Sequence, residues 1–182
     1  MNLENILLNE HSKTTCDKVV HWIGNNQHRF DQLFSLFIGN DPLLAQRASW
    51  PLSYAAVANP RLIDKHFKEL LENVKKKVHD AIKRNTVRIL QDISIPEAFQ
   101  GDVMNLCFDY LMAPKEKPAI KAFSLTVIKN LSVHYPDILP ELKTIIEDRW
   151  DTESKAFQSR ARKILRSMKN PAEPGNSNET IK

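Results

Sequence analysis

At 182 residues, 42% hydrophobic and 26% charged, the chain has the composition of one globular domain large enough to bury a real core. Its formal charge of +4 permits a basic patch but is too small to dictate a nucleic-acid partner. No segment approaches the ~18–20 apolar residues of a membrane span, and Met1-Asn2-Leu3-Glu4-Asn5-Ile6 lacks the basic start and long apolar run of a signal peptide, so a cytoplasmic protein is expected.

In chain order, residues 1–25 read as a capping pair of helices. One, about 2–9, carries Leu3, Ile6 and Leu7; the other, about 14–24, carries Val19, Val20, Trp22 and Ile23, with Thr14 or Thr15 at its start and Gly24-Asn25-Asn26 at its end. Phe30, Leu33, Phe34, Phe37 and Ile38 then form a helical stripe that stops at Gly39-Asn40. Asp41 is placed to cap the next helix, and Pro42 falls at its first position, where a missing N–H costs nothing. Leu44, Ala48, Leu52 and Ala55 are its expected buried face, and Pro51 should kink it.

The pattern recurs. Ile63, Phe67, Leu70, Leu71, Val74 and Val78 line one helix. Ile82, Thr86, Ile89, Leu90 and Ile93 line the next, across a join at Lys75-Lys76-Lys77. Val103, Leu106, Cys107, Tyr110 and Leu111 precede a second set at Ile120, Phe123, Val127, Ile128 and Leu131. Ile138, Leu142, Ile145 and Ile146 precede Phe157, Ala161, Ile164, Leu165 and Met168. Residues 171–182 have no apolar periodicity and read as a disordered tail.

Two markers give this pattern a period. Arg47, Arg84, Lys121 and Arg160 are spaced by 37, 37 and 39 residues, and alanine follows three of them. The prolines that close helix pairs, Pro60, Pro96 and Pro136, are spaced by 36 and 40. One helix pair per period predicts an all-α fold: a right-handed α-α superhelix of the armadillo or HEAT-like kind, a solenoid of about four repeats (about 26–60, 61–96, 97–136 and 137–170) on an N-terminal cap, 1–25, in a single domain of residues 1–170.

Over about residues 27–170 the paired helices resemble the HEAT-repeat family. In that family an Asp between the helices and an Arg six residues later form a ladder between neighbouring repeats. Asp41 and Arg47 have this spacing, whereas the equivalent positions before Arg84, Lys121 and Arg160 are Val78, Lys115 and Ser154. Leu44-Ala45-Gln46-Arg47-Ala48 and Ala119-Ile120-Lys121-Ala122 also resemble second helices of the DNA alkylation-repair glycosylases, a family that holds damaged DNA on its concave face with tryptophans, an Asp and an Arg around the lesion. Trp150-Asp151-Thr152 is similar to a Trp-Trp-Asp segment of that family but has one Trp and lacks the further Asp, so glycosylase activity is not expected to carry over.

No catalytic motif is present, and no cofactor is expected. The six histidines show no HExxH arrangement, Cys16 and Cys107 lack metal-ligand neighbours and read as reduced thiols, and there is no nucleophile elbow or phosphate-cradling glycine loop. Basic residues outnumber acidic ones six to three over 72–92 and six to two over 151–170. Arg47, Lys83, Arg84, Arg88, Lys121, Arg160 and Arg162 are the candidate contacts for a partner or for phosphates, unless they form only a solvated face. Trp50 is the candidate aromatic contact, because Pro51 beside it can turn the ring outward. The expected function is a non-enzymatic scaffold that holds a protein partner on its concave face, as a monomer. The alternative is a nucleic-acid-binding relative of the glycosylases.

Overall fold

A computed structural model describes residues 1–169; the expected tail lies outside the described residues. Among them there are ten α-helices and no strand: α1 (Leu3–Asn9), α2 (Lys13–Ile23), α3 (Gln27–Ile38), α4 (Pro42–Ala58), α5 (Phe67–Val74), α6 (Asp80–Asp92), α7 (Glu97–Met112), α8 (Pro118–Leu131), α9 (Leu139–Arg149) and α10 (Lys155–Lys169). The most extensive packings run α2 on α4, α4 on α6, α6 on α8 and α8 on α10, with α3 laid on α4 and α7 on α8. The even-numbered helices thus form one continuous row, and the chain is the all-α solenoid that the repeats imply.

Local chemistry sets the helix limits. Asp41 accepts from the N–H groups of Leu43 (2.9 Å) and Leu44 (3.0 Å), with Pro42 at the first position, as its spacing predicts. Helix α2 corrects the expected cap. Ser12, not Thr14 or Thr15, accepts from Thr15 N–H, because Thr15 lies inside the first turn and its hydroxyl donates to Glu10 instead. Gly24 ends α2 with φ 49°, a left-handed conformation that a side chain would strain. Pro60, Pro96 and Pro136 do more than close pairs. Pro60 and Pro136 open 3-10 turns (Pro60–Leu62 and Pro136–Ile138), and Pro96 caps α7, since a fixed φ suits the start of a helix. The first helix of the second repeat is shorter than its apolar stripe: two 3-10 turns precede Phe67, and Val78 lies in the loop after α5. Pro51 does not end α4, which runs unbroken from Pro42 to Ala58.

The core has two parts. The first gathers α1 to α4 with Leu70, Val74, Ile82 and Ile89; the second gathers α7 to α10 with Phe67, Leu71, Val87 and Leu90. Helices α5 and α6 therefore give one face to each. Leu106, from the apolar stripe of α7, is half-buried and packs against both parts, as does Ile93.

Candidate partner-binding face

The row of even-numbered helices brings together side chains that lie far apart in sequence. Trp50 and Tyr54 are four residues apart and share a face of α4; Arg84 and Arg88 do the same on α6. Because α4 packs directly on α6, the Arg88 guanidinium sits 4.2 Å from the centre of the Tyr54 ring. Lys13, from the first turn of α2, places its ammonium 4.7 Å from the same ring. His11 meets Trp50 edge to face, with centroids 5.3 Å apart. The result is a cluster in which two cations flank the Tyr54 ring, with the Trp50 and His11 rings beside it. Arg88, with help from Trp50 and Lys13 and against the opposing effect of burial, holds the Tyr54 phenol below its ordinary value.

Charge on this cluster is unevenly neutralised. Lys13 pairs with Asp17. Arg84 and Arg88 have no carboxylate within 4 Å among the described residues. Arg84 is exposed and borders a cleft of about 560 Å³ that also takes in His11, Gln46, His79 and Lys117. Lys117 on that cleft is paired with Asp80 at 3.6 Å.

The other basic residues of the period have different surroundings. Arg47 does not meet Asp41; its guanidinium donates to the carbonyls of Leu7 (2.8 Å) and Leu8 (2.6 Å), tying α4 to the last turn of α1. Lys83 pairs with the buried Glu116 at 3.1 Å. Lys121 is 2% exposed and pairs with Glu153, which Arg149 also approaches at 3.6 Å. Arg160 donates to the Thr126 hydroxyl at 2.8 Å. Arg162 is exposed and lies 5.5 Å from the half-buried Trp150 ring. Of the seven basic candidates, then, Arg88 joins the Tyr54 cluster beside Trp50, and Arg84, one turn earlier on α6, lines the adjoining cleft with His11. Arg47, Lys83 and Lys121 join neighbouring elements, and Arg160 and Arg162 lie at the far end.

A ladder between repeats does exist, in another register from Asp41 and Arg47. Lys83 and Lys121, each early in a second helix, reach the acid in the next inter-helix loop, Glu116 and Glu153. Sequence reasoning missed Tyr54, Lys13 and His11 as members of the cluster. The paired spacings Trp50/Tyr54 and Arg84/Arg88 were a signal, but only helix packing shows that they face each other.

Other chemistry is limited among the described residues. No group of three His, Cys, Asp or Glu side chains could hold a metal ion, and no helix is long and apolar enough to cross a membrane. Burial pushes the thiol of Cys16 up to about 11 and that of Cys107 to about 12, which suppresses the thiolate.

A family model described as a HEAT repeat domain matches residues 3–168. No curated protein and no solved structure matches the chain.

Proposed function

Because the chain belongs to the HEAT repeat domain family, a protein-interaction kind of module, we propose that it is a non-enzymatic binding module that holds an acidic segment of a protein partner across the row α4–α6. We take that row as the concave side of the solenoid. One observation carries this reading: Arg88 stacked on Tyr54, beside Trp50 and the exposed Arg84, with no carboxylate within 4 Å of either arginine among the described residues. Half-exposed aromatic rings supply contact area at low entropic cost, and unpaired guanidinium groups supply forked donors for carboxylates.

The test is a pair of fluorescence titrations. One uses a synthetic peptide rich in Asp and Glu with interspersed leucines; the other uses single-stranded and duplex DNA. Each is run at about 50 mM and about 200 mM salt, a range over which several phosphate contacts would change DNA affinity by orders of magnitude. The peptide should bind, and Arg84→Glu with Arg88→Glu should abolish that binding without lowering the melting temperature. DNA should show no detectable binding at the lower salt. Steeply salt-dependent DNA binding lost in the same variant would replace the protein partner with a nucleic acid.

A further inference from the structure

The even-numbered helices carry little acid. Helices α4 and α8 have no acidic residue, and α10 has none among its described side chains. The two acids of α6 stand at its ends: Asp80 pairs with Lys117 at 3.6 Å, and Asp92 accepts from the Gln91 amide at 3.1 Å. Helix α7, by contrast, carries Glu97, Asp102 and Asp109 and no basic residue. The row is thus poor in acid, in a chain whose overall charge is only +4.

Contacts along the row set its helices parallel and in register. Asn85 donates to the Ser49 hydroxyl at 2.8 Å, and Arg88 covers the Tyr54 ring at 4.2 Å. Asp80 meets Lys117, and Asn130 donates to the Gln91 carbonyl at 2.9 Å. Lys121 meets Glu153, just before α10, and Arg160 donates to the Thr126 hydroxyl at 2.8 Å. Residue numbers rise together in each pair, so α4, α6, α8 and α10 point the same way. Arg88 lies three residues before Gln91 and Thr126 four before Asn130, which puts Thr126 opposite Arg88 one turn earlier. Tyr54, Arg88, Thr126 and Arg160 therefore form one line across the row. Each of them is half-buried, and neither arginine has a carboxylate within 4 Å among the described residues.

We propose that the row holds its partner as a polyproline-II strand laid along this line, with two acidic residues six positions apart, one on Arg88 and one on Arg160. This rests on the acidic protein segment inferred above, to which it adds a conformation and a spacing. Packed helices lie about 8–10 Å apart, so the step from α6 to α10 is about 16–20 Å. A polyproline-II chain rises about 3.1 Å per residue with three residues per turn, so each turn of about 9 Å matches one helix step. Six residues cover about 19 Å and return the same face to the second arginine. A β-strand turns its side chains to the other face after three residues, and an α-helix needs about twelve residues for the same span. The carboxylates take guanidinium N–H groups that the ring contact of Arg88 and the Thr126 bond of Arg160 leave over. The residue midway between them falls on Thr126, whose neutral hydroxyl calls for no third charge.

The experiment titrates the full chain with dye-labelled peptides of proline and glutamine that carry one glutamate, or two glutamates three, six or nine positions apart. The Asp- and Glu-rich peptide of the preceding test is run beside them at about 50 mM salt, where exposed charges are weakly screened. The six-spaced peptide should bind about tenfold tighter than the other pairs, which should match the single glutamate. Arg160→Gln should bring it down to that level with an unchanged melting temperature; an unchanged affinity would overturn the second contact. Equal binding at all spacings, lost in Arg84→Glu with Arg88→Glu, would overturn the spacing and leave the acidic partner standing. Failure of these peptides while the Asp- and Glu-rich one binds would overturn the polyproline-II line alone; failure of both would overturn the acidic partner as well. Tighter binding of an oligothymidylate of the same length, weakened by Arg160→Gln, would assign the line to a phosphate backbone instead.

Discussion

Lys121 and Glu153 bury opposite charges between two repeats, and their value depends on each other. Lys121→Met leaves Glu153 enclosed with Arg149 still 3.6 Å away, and should cost about 2–4 kcal/mol, somewhat below the roughly 3–5 for a buried charge left with no partner. The double change Lys121→Met with Glu153→Leu should recover most of that loss, because desolvation of the pair offsets much of its attraction. Urea denaturation of the three proteins measures both. Asp31 is a second test. Burial pushes its carboxyl up, but hydrogen bonds from Lys65 (2.7 Å), Gln27 (2.9 Å) and His66 (2.7 Å) outweigh this and hold it at about 2. A depressed carboxyl stabilises the fold above its unfolded value and loses that contribution as pH falls. Asp31→Asn should therefore destabilise by about 1–2 kcal/mol near pH 7, a difference that fades between about pH 4 and about pH 2. Thermal melts across that range would contradict the assignment if the gap stayed constant. The charged partners of Lys121 and Asp31 were not legible in the sequence, since Glu153 lies 32 positions from Lys121 and Lys65 and His66 lie 34 and 35 from Asp31; Gln27, four residues before Asp31, is the local exception.

Individual helices were legible to different degrees, for physical reasons. Helix α4 was plain because Asp41 and Pro42 carry start chemistry and its apolar residues keep a 3.6-residue period. Helix α5 was overextended because Ile63 and Phe67 stand four apart, a spacing that two successive 3-10 turns preserve without an α-helix. The early cap of α2 was ambiguous because Ser12, Thr14 and Thr15 all bear a hydroxyl of the right kind. The candidate site was less legible than the fold. Trp50, Arg84 and Arg88 were in view, while Tyr54, Lys13 and His11 enter it only through packing between helices. Helix α7 offers a clean test of propensity. Gly101 lies in its second turn, exposed, and a Cβ there would meet nothing within 4 Å. Gly101→Ala should stabilise the protein by about 0.5–1 kcal/mol, read as a higher urea midpoint with an unchanged slope.

Across the whole molecule, α5 and α6 separate two cores and belong to both, while Leu106 and Ile93 reach each side. Leu106→Ala removes a contact to both parts at once. Being half-buried, it should cost about 1–2 kcal/mol, less than the roughly 2–5 of a fully enclosed leucine. Its larger effect should be on cooperativity. Native-state hydrogen exchange should show α1–α4 and α7–α10 opening with closely similar free energies in the parent and with separated ones in Leu106→Ala. Coincident opening in both proteins would mean that the shared wall alone keeps the halves together. A partition faced on both sides also acts as a joint. Tension applied to the two ends would be taken up first at α5–α6, where the short α5 is met by 3-10 turns, and little in the flanking cores. Tyr54 stands on one side of that joint and Arg88 on it, so a small flexure there would open or shut the clasp between them and change grip without unfolding either half.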